Sequence, residues 1–339
     1  MAGLLSLCFF TEESLDIPNT FEDDPEPQSP RPFHAFKAGE LEEILKQMKN
    51  NSTPGTSGIG WFLLKRGWPF VGELLANTFI SCIKLAHHLP RWKEAKVVVI
   101  PKPDKADYSL AKVHRPISLL EAMSKLMEKV VAKCMQHDIV AHELIPTNQF
   151  GGRMHSSCLD TGMTLIHDVQ TAHMAGLKAG ILLFDVRGFF DNVNHNRLAS
   201  ILDRLGYAPE LVRWSRAFLK DRKVRLSFNN ITSEERGQLV GVPQGFPLSP
   251  VLSITYTSSL LHKMRNWSNS SLGMYVDDGI LFACATEWAE VTRLLQARYS
   301  VCEEWLQRSG LAIEPDKTEV LFFQKPYLMS ITCSWLPCN

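Results

Sequence analysis

The stretch Ile181-Leu182-Leu183-Phe184-Asp185 is an apolar run that closes on a carboxylate. Such a run reads as a buried strand that carries Asp185 to its end. Further on, Met274 to Ala283 reads as two short strands around a turn at Asp277-Asp278, entered through Tyr275-Val276. Aspartate tolerates the backbone angles of tight turns, so Asp277-Asp278-Gly279 taken alone reads first as plain turn chemistry. With Asp185 it suggests a metal site. Phosphoryl transfer needs little covalent help from a protein; it needs positioned reactants and cations on the developing charge. Magnesium takes oxygen ligands, commonly one or two carboxylates, with phosphates and water completing the shell. Two such ions can serve both the attacking and the leaving oxygen.

Toward the C-terminus, Arg197 to Leu205 and Pro209 to Leu219 look helical, Val224 to Phe228 and Gln238 to Val242 extended, and Pro250 to Trp267 helical. Trp288, Val291, Leu295, Cys302 and Trp305 mark an amphipathic helix, and Val320 to Phe323 a last strand. Toward the N-terminus, Leu41, Ile44, Leu45 and Met48 share one helix face, and Pro54, Gly55 and Gly58 end that helix. An apolar helix is expected from about Trp68 to His87. Lys96 to Ile100 is a β-branched strand stopped by Pro101 and Pro103, Pro116 opens a long helix through Cys134, and 156–176 is helical. The order predicts an α+β fold, an antiparallel sheet packed on helices behind a mostly helical lobe. The expected division is an acidic, disordered leader over 1–35, a mostly helical part over 36–180, the carboxylate-bearing part over 181–325 and a tail over 326–339.

The net charge of zero at first argues against a nucleic-acid binder, but the charge is unevenly spread. Residues 1–30 hold seven acidic side chains and neither Lys nor Arg, which leaves +7 over the rest. Arg91 to Lys133 has ten basic residues against five acidic, and Arg213 to Arg225 six against Asp221 alone. Clustered cations can neutralise backbone phosphates, although a charge run is more commonly a solvated helix face. Eight scattered cysteines form no CxxC pair, so neither a zinc knuckle nor a secreted disulfide framework is expected. Reduced thiols, no signal peptide and no membrane-spanning run point to an intracellular protein, nuclear or cytoplasmic.

Between and before the acids lie Phe184-Asp185-Val186-Arg187-Gly188-Phe189-Phe190-Asp191, Pro243-Gln244-Gly245-Phe246-Pro247-Leu248-Ser249-Pro250 and Arg115-Pro116-Ile117-Ser118-Leu119-Leu120. With Pro54-Gly55, Gly58-Ile59, Ile100 to Pro103, Gln149-Phe150-Gly151, Arg153 and Lys317-Thr318-Glu319, they make the chain resemble the reverse transcriptases of non-LTR (LINE-like) retrotransposons, collinearly from about Leu41 to Phe323. The resemblance implies the fingers and palm of a right-hand polymerase, with the thumb largely missing. It implies an RNA-directed DNA polymerase working on an RNA template, a DNA primer and deoxynucleoside triphosphates with two Mg2+ ions, for which Mn2+ can substitute.

Residue by residue, it implies that Asp185 and Asp277 ligate both metals, with the Val186 carbonyl a minor ligand, and that Asp278 is a third acid near the primer end, beside Tyr275. Phe190 falls where the family has an aromatic gate against the ribose 2′-hydroxyl. Lys102 and Arg115 would hold the triphosphate, Gln244 and Gly245 would line the nucleotide pocket, and Lys317 would lie near the phosphates. Core packing for Phe190 and surface charge for the cations are the competing readings. His195 is read as structural. The chain departs from the pattern at Phe246 (usually Ser), Phe189 (usually small), Gly152 (often aromatic) and His114 (often Tyr). Phe189 and Phe246 are expected to crowd the nucleotide pocket. The alternatives are an inactive, truncated remnant or nucleic-acid-binding protein, an RNA-dependent RNA polymerase and a group II intron maturase.

Overall fold

The computed structural model describes residues 16–104, 107–108, 110, 113–228, 231–243, 245–324 and 328–329. In chain order the elements are α1 (Ala38–Lys46), α2 (Trp61–Lys84), β1 (Glu94–Pro101), β2 (His114–Leu119), α3 (Ala122–Ala141), α4 (Cys158–Met174), β3 (Lys178–Arg187), α5 (His195–Arg204) and α6 (Pro209–Leu219). There follow β4 (Arg222–Phe228), β5 (Ile231–Thr232), β6 (Arg236–Gln238), α7 (Ser249–Tyr256), α8 (Ser258–Met264), β7 (Ser270–Tyr275) and β8 (Asp278–Ala285). The last are α9 (Trp288–Arg308), β9 (Ala312–Ile313), β10 (Glu319–Phe323) and β11 (Leu328–Met329). The chain is therefore a mixed α and β protein. Its described residues form two compact units, one within 16–19, 26–138 and 190–252, the other within 20–25, 139–189 and 253–329.

In the second unit the sheet order is β11-β10-β3-β8-β7, with β9 pairing the far end of β3. Strand side chains alternate between faces, so β3 packs in two directions. Ala179 and Ile181 join Phe282, Cys284 and Ala172 of α4 in one apolar cluster, with Leu183 and Leu321 packed against it. On the other face Phe184 meets Tyr299 of α9 edge-on at 6.4 Å between centroids. Helices thus cover both faces, which is why Ile181 to Phe184 reads as an unbroken apolar run. Each of these large side chains contributes roughly 1.5–3 kcal/mol by leaving water. Phe21 and Trp305 also pack edge to face, at 6.4 Å.

In the first unit the order is β2-β1-β4-β5, with β6 also on β4. β1 and β2 form an antiparallel pair, while β1 and β4 run parallel with Glu94 opposite Lys223. Here the structure corrects several sequence expectations. Pro116 opens no helix; it pairs with Val99 inside β2, and α3 starts at Ala122. β2 is an edge strand, where a residue without an N–H is tolerated. The helix expected from Trp68 begins at Trp61 and runs through Pro69, its buried side held by Trp61, Leu64 and Trp68. Of the strand expected over Gln238 to Val242 only Gln238 pairs with β4, at the end of β6; at Gly241, with φ of 82°, the chain turns away and donates its N–H to the Val193 carbonyl. The expected helix from Pro250 is two, α7 and α8, which meet at Thr257.

Part of the acidic leader is fastened down. Gln28 N–H donates to the Arg204 carbonyl at 2.8 Å, and Arg31 N–H to that of Gly206 at 3.0 Å. The Arg31 guanidinium lies 5.5 Å from the centre of the Tyr207 ring. Residues 1–15 lie outside the described part of the chain.

Candidate active site

β3 and β8 are antiparallel, with Asp185 directly opposite Asp278. Directly opposed residues stand on one face of a sheet, with Cβ atoms about 4.5–5.5 Å apart. β7 and β8 pair up to Tyr275 opposite Asp278, so Val276 and Asp277 form the two-residue loop of a tight hairpin. Val276 takes φ of 61°, left-handed backbone that a β-branched residue rarely adopts. The Asp277 carbonyl accepts the Val186 N–H at 3.0 Å, which ties the turn to the end of β3. Phe184 lies against Gly279, where any Cβ would overlap its ring. The Asp185 carbonyl accepts the Glu314 N–H at 2.8 Å, and the short 3₁₀ turn Pro315–Lys317 then brings Lys317 Nζ to 2.7 Å from Asp185 Oδ2.

This corner carries more negative than positive charge. Burial first, then the carboxylates of Asp278 and Asp185, push the Asp277 carboxyl above its usual range; Lys317 works against the rise. Asp278 is raised by burial and by Asp185. The hydrogen bond to Asp185 raises Lys317. Carboxylates that repel one another suit a hard divalent cation, because the cation relieves the strain. Among the described residues no three carboxylate, imidazole or thiolate groups are already gathered tightly enough to ring a metal. Magnesium commonly takes only one or two carboxylates from protein, so it needs no such ring.

The remaining expected residues lie in the other unit. Lys102 follows β1, its N–H donating to the Val113 carbonyl at 2.8 Å. Arg115 is exposed on β2, opposite Ile100. The Phe190 carbonyl accepts the Val242 N–H at 2.7 Å, so Phe190 neighbours the segment that leads into Pro243 and Gly245. Gly241 is required there, since a Cβ would lie 2.5 Å from the Asp191 carbonyl oxygen. Gly245 has φ of 87° and open space around it. Gln244 lies outside the described residues. His195 donates through Nε2 to the Gly241 carbonyl at 2.7 Å, in keeping with a structural role. The Phe246 ring is buried, with the Arg222 guanidinium 4.6 Å from its centre and Phe218 edge-on at 6.2 Å. Phe189 is equally buried.

Two residues beside the carboxylates had no expected role. Gln149 is fully buried and its Oε1 accepts the Val276 N–H at 3.3 Å. At Gly151 a Cβ would lie 2.5 Å from the Val276 nitrogen. The Gln149-Phe150-Gly151 motif was visible in the sequence, but nothing in it named the partner.

The sequence matches the family described as reverse transcriptase (RNA-dependent DNA polymerase) over residues 100–333, and the chain belongs to that family. It is 28% identical over 292 residues to the probable RNA-directed DNA polymerase from transposon BS of Drosophila melanogaster, which spans 85% of this chain and 32% of the relative. It is 23% identical over 316 residues to the RNA-directed DNA polymerase from the mobile element jockey of the same fly, 92% of this chain and 33% of the relative. A putative 115 kDa protein in the type-1 retrotransposable element R1DM is 25% identical over 293 residues, 86% of this chain and 27% of the relative. The expected likeness to polymerases of non-LTR retrotransposons is borne out. The chain spans about a third of the length of these curated relatives. No helix among the described residues is long and apolar enough to cross a membrane.

Proposed function

We propose that this chain is the RNA-directed DNA polymerase (reverse transcriptase) domain of a retroelement, and that it joins deoxynucleotides to a DNA primer on an RNA template. The observation that carries this reading is Asp185 directly opposite Asp278, with Asp277 in the turn between β7 and β8. Asp185 and Asp277 hold Mg2+, or Mn2+ in its place, with the Val186 carbonyl as a further oxygen; Asp278 and Tyr275 face the primer end. Bound magnesium supplies the charge that activates the primer hydroxyl and steadies the departing pyrophosphate. Lys102 and Arg115 bind the triphosphate, Lys317 gives a proton or a positive charge to the pyrophosphate, and Gln244 and Gly245 line the nucleotide pocket. Phe190 excludes a 2′-hydroxyl and so selects deoxynucleotides. In a right-hand description, 36–180 supply the fingers and 181–325 the palm.

The test is primer extension on an RNA template with Mg2+ or Mn2+, wild type beside Asp277→Ala. Extension by the wild type alone is expected. Absence of extension by wild-type protein shown to be folded would overturn the reading in favour of an inactive, nucleic-acid-binding relative.

A further inference from the structure

The turn that presents Asp277 is strained, and something must hold it. Left-handed backbone at a non-glycine residue costs on the order of 1–3 kcal/mol and persists only where its surroundings over-determine it. For Val276 the holding group is Gln149. The Gln149 side chain is 0% exposed, and its Oε1 accepts the Val276 N–H at 3.3 Å. Its Nε2 has no hydrogen-bond partner among the described residues. Turning the amide over would set Nε2 against the Val276 N–H, donor against donor, so the chemistry allows one orientation. A buried amide with an unmet donor costs roughly 1–3 kcal/mol. A glutamine kept at that cost is there for what its oxygen does.

The segment bearing Gln149 is itself clamped to β7. Phe150 N–H donates to the Met274 carbonyl at 2.8 Å, and Met274 N–H to the Asn148 carbonyl at 2.8 Å. Asn148 Nδ2 donates to the Leu272 carbonyl, and Gln149 forms an isolated parallel bridge with Met274. Gly151 completes the clamp, since only a residue without Cβ lets the chain run this close to Tyr275 and Val276. Asn148 to Gly151 therefore act as a short extra strand beside β7, with one side chain reaching past its end to the turn.

We infer that Gln149 is a positioning residue for the catalytic turn: its side-chain oxygen holds Val276 in left-handed backbone and thereby fixes Asp277 with respect to Asp185. This rests on the polymerase reading for its kinetic consequence, while the brace itself is a matter of conformation. The Asp277 carbonyl, which accepts the Val186 N–H at 3.0 Å, is a second restraint on the same turn.

The experiment compares wild type, Gln149→Met and Gln149→Met with Val276→Gly. Methionine keeps the length and removes the acceptor; glycine adopts left-handed backbone without strain. The first readout is hydrogen exchange at the Val276 amide, which needs no activity. Gln149→Met is expected to speed it at least tenfold, with melting close to wild type. The second is primer extension. Gln149→Met is expected to lower kcat by about 100-fold, the loss that a misplacement of about 1 Å produces, with KM for the deoxynucleotide nearly unchanged. Adding Val276→Gly is expected to restore part of kcat. Unchanged exchange in folded Gln149→Met overturns the inference. So does a rise in KM at constant kcat, or a double variant no faster than Gln149→Met. A wild type that extends no primer sinks the polymerase reading and the kinetic role together, while hydrogen exchange still decides the brace.

Discussion

Lys317 Nζ stands 2.7 Å from Asp185 Oδ2, so the carboxylate opposite Asp278 already has a cation against it. A metal ion drawn to Asp185 meets a competitor as well as a ligand. The Lys317 side chain is 63% exposed, and such pairs are worth roughly 0.2–1 kcal/mol. Lys317→Met should therefore tighten Mn2+ binding to the nucleotide-free protein by roughly 1.5- to 5-fold. Electron paramagnetic resonance of free Mn2+ measures this; weaker binding by the variant would mean that Lys317 orders the site instead of competing for it.

If Phe190 is the sugar gate, Phe190→Ala should raise ribonucleotide incorporation relative to deoxynucleotide by about 10- to 100-fold, the range that steric discrimination of one small group supplies. Single-nucleotide extension with each nucleotide type gives the ratio. An unchanged ratio in an active variant would return Phe190 to core packing.

Burial pushes the Asp191 carboxyl up to about 6. A raised acid binds its proton more firmly in the folded chain, so its contribution is intact below the ordinary aspartate pKa and is lost as pH climbs toward 6. Across that window the wild type should lose stability against Asp191→Asn, by no more than roughly 1.4 kcal/mol per pH unit. Urea midpoints of both proteins at pH 4, 5 and 7 test this, and a gap that does not widen with pH contradicts it.

Gly279→Ala should destabilise the protein by about 1–3 kcal/mol, because its methyl group would enter the Phe184 ring and the core cannot yield freely. Phe184→Leu in the same chain should recover part of the loss. Thermal melts of the single and double variants measure the coupling, and simple additivity would show that the ring moves aside at no cost.

The carboxylate frame was legible because its signals are local. Burial on both sides of β3 writes Ile181 to Phe184 as one apolar run, and the tight β7–β8 turn writes Asp277 and Asp278 side by side. Gln149 was not legible as a brace. Its partner lies 127 residues away, and the contact is between a side-chain oxygen and a backbone N–H, which leaves no periodicity. Pro116 misled because proline signals a helix start and an edge strand alike, and only its pairing with Val99 decides between them. The docking of Gln28 and Arg31 runs through the carbonyls at the end of α5, which any sequence would offer.

The two units are threaded through one another in sequence, and this sets when each can form. β1 waits for its parallel partner β4, and β3 waits for β8, which is made later still. On a ribosome β1 has only its antiparallel neighbour β2 until β4 emerges, and β3 lacks its sheet neighbours until β8 and β10 do. A messenger cut short before β8 would thus leave β3 without a strand partner on either side and Asp185 without the residue opposite it.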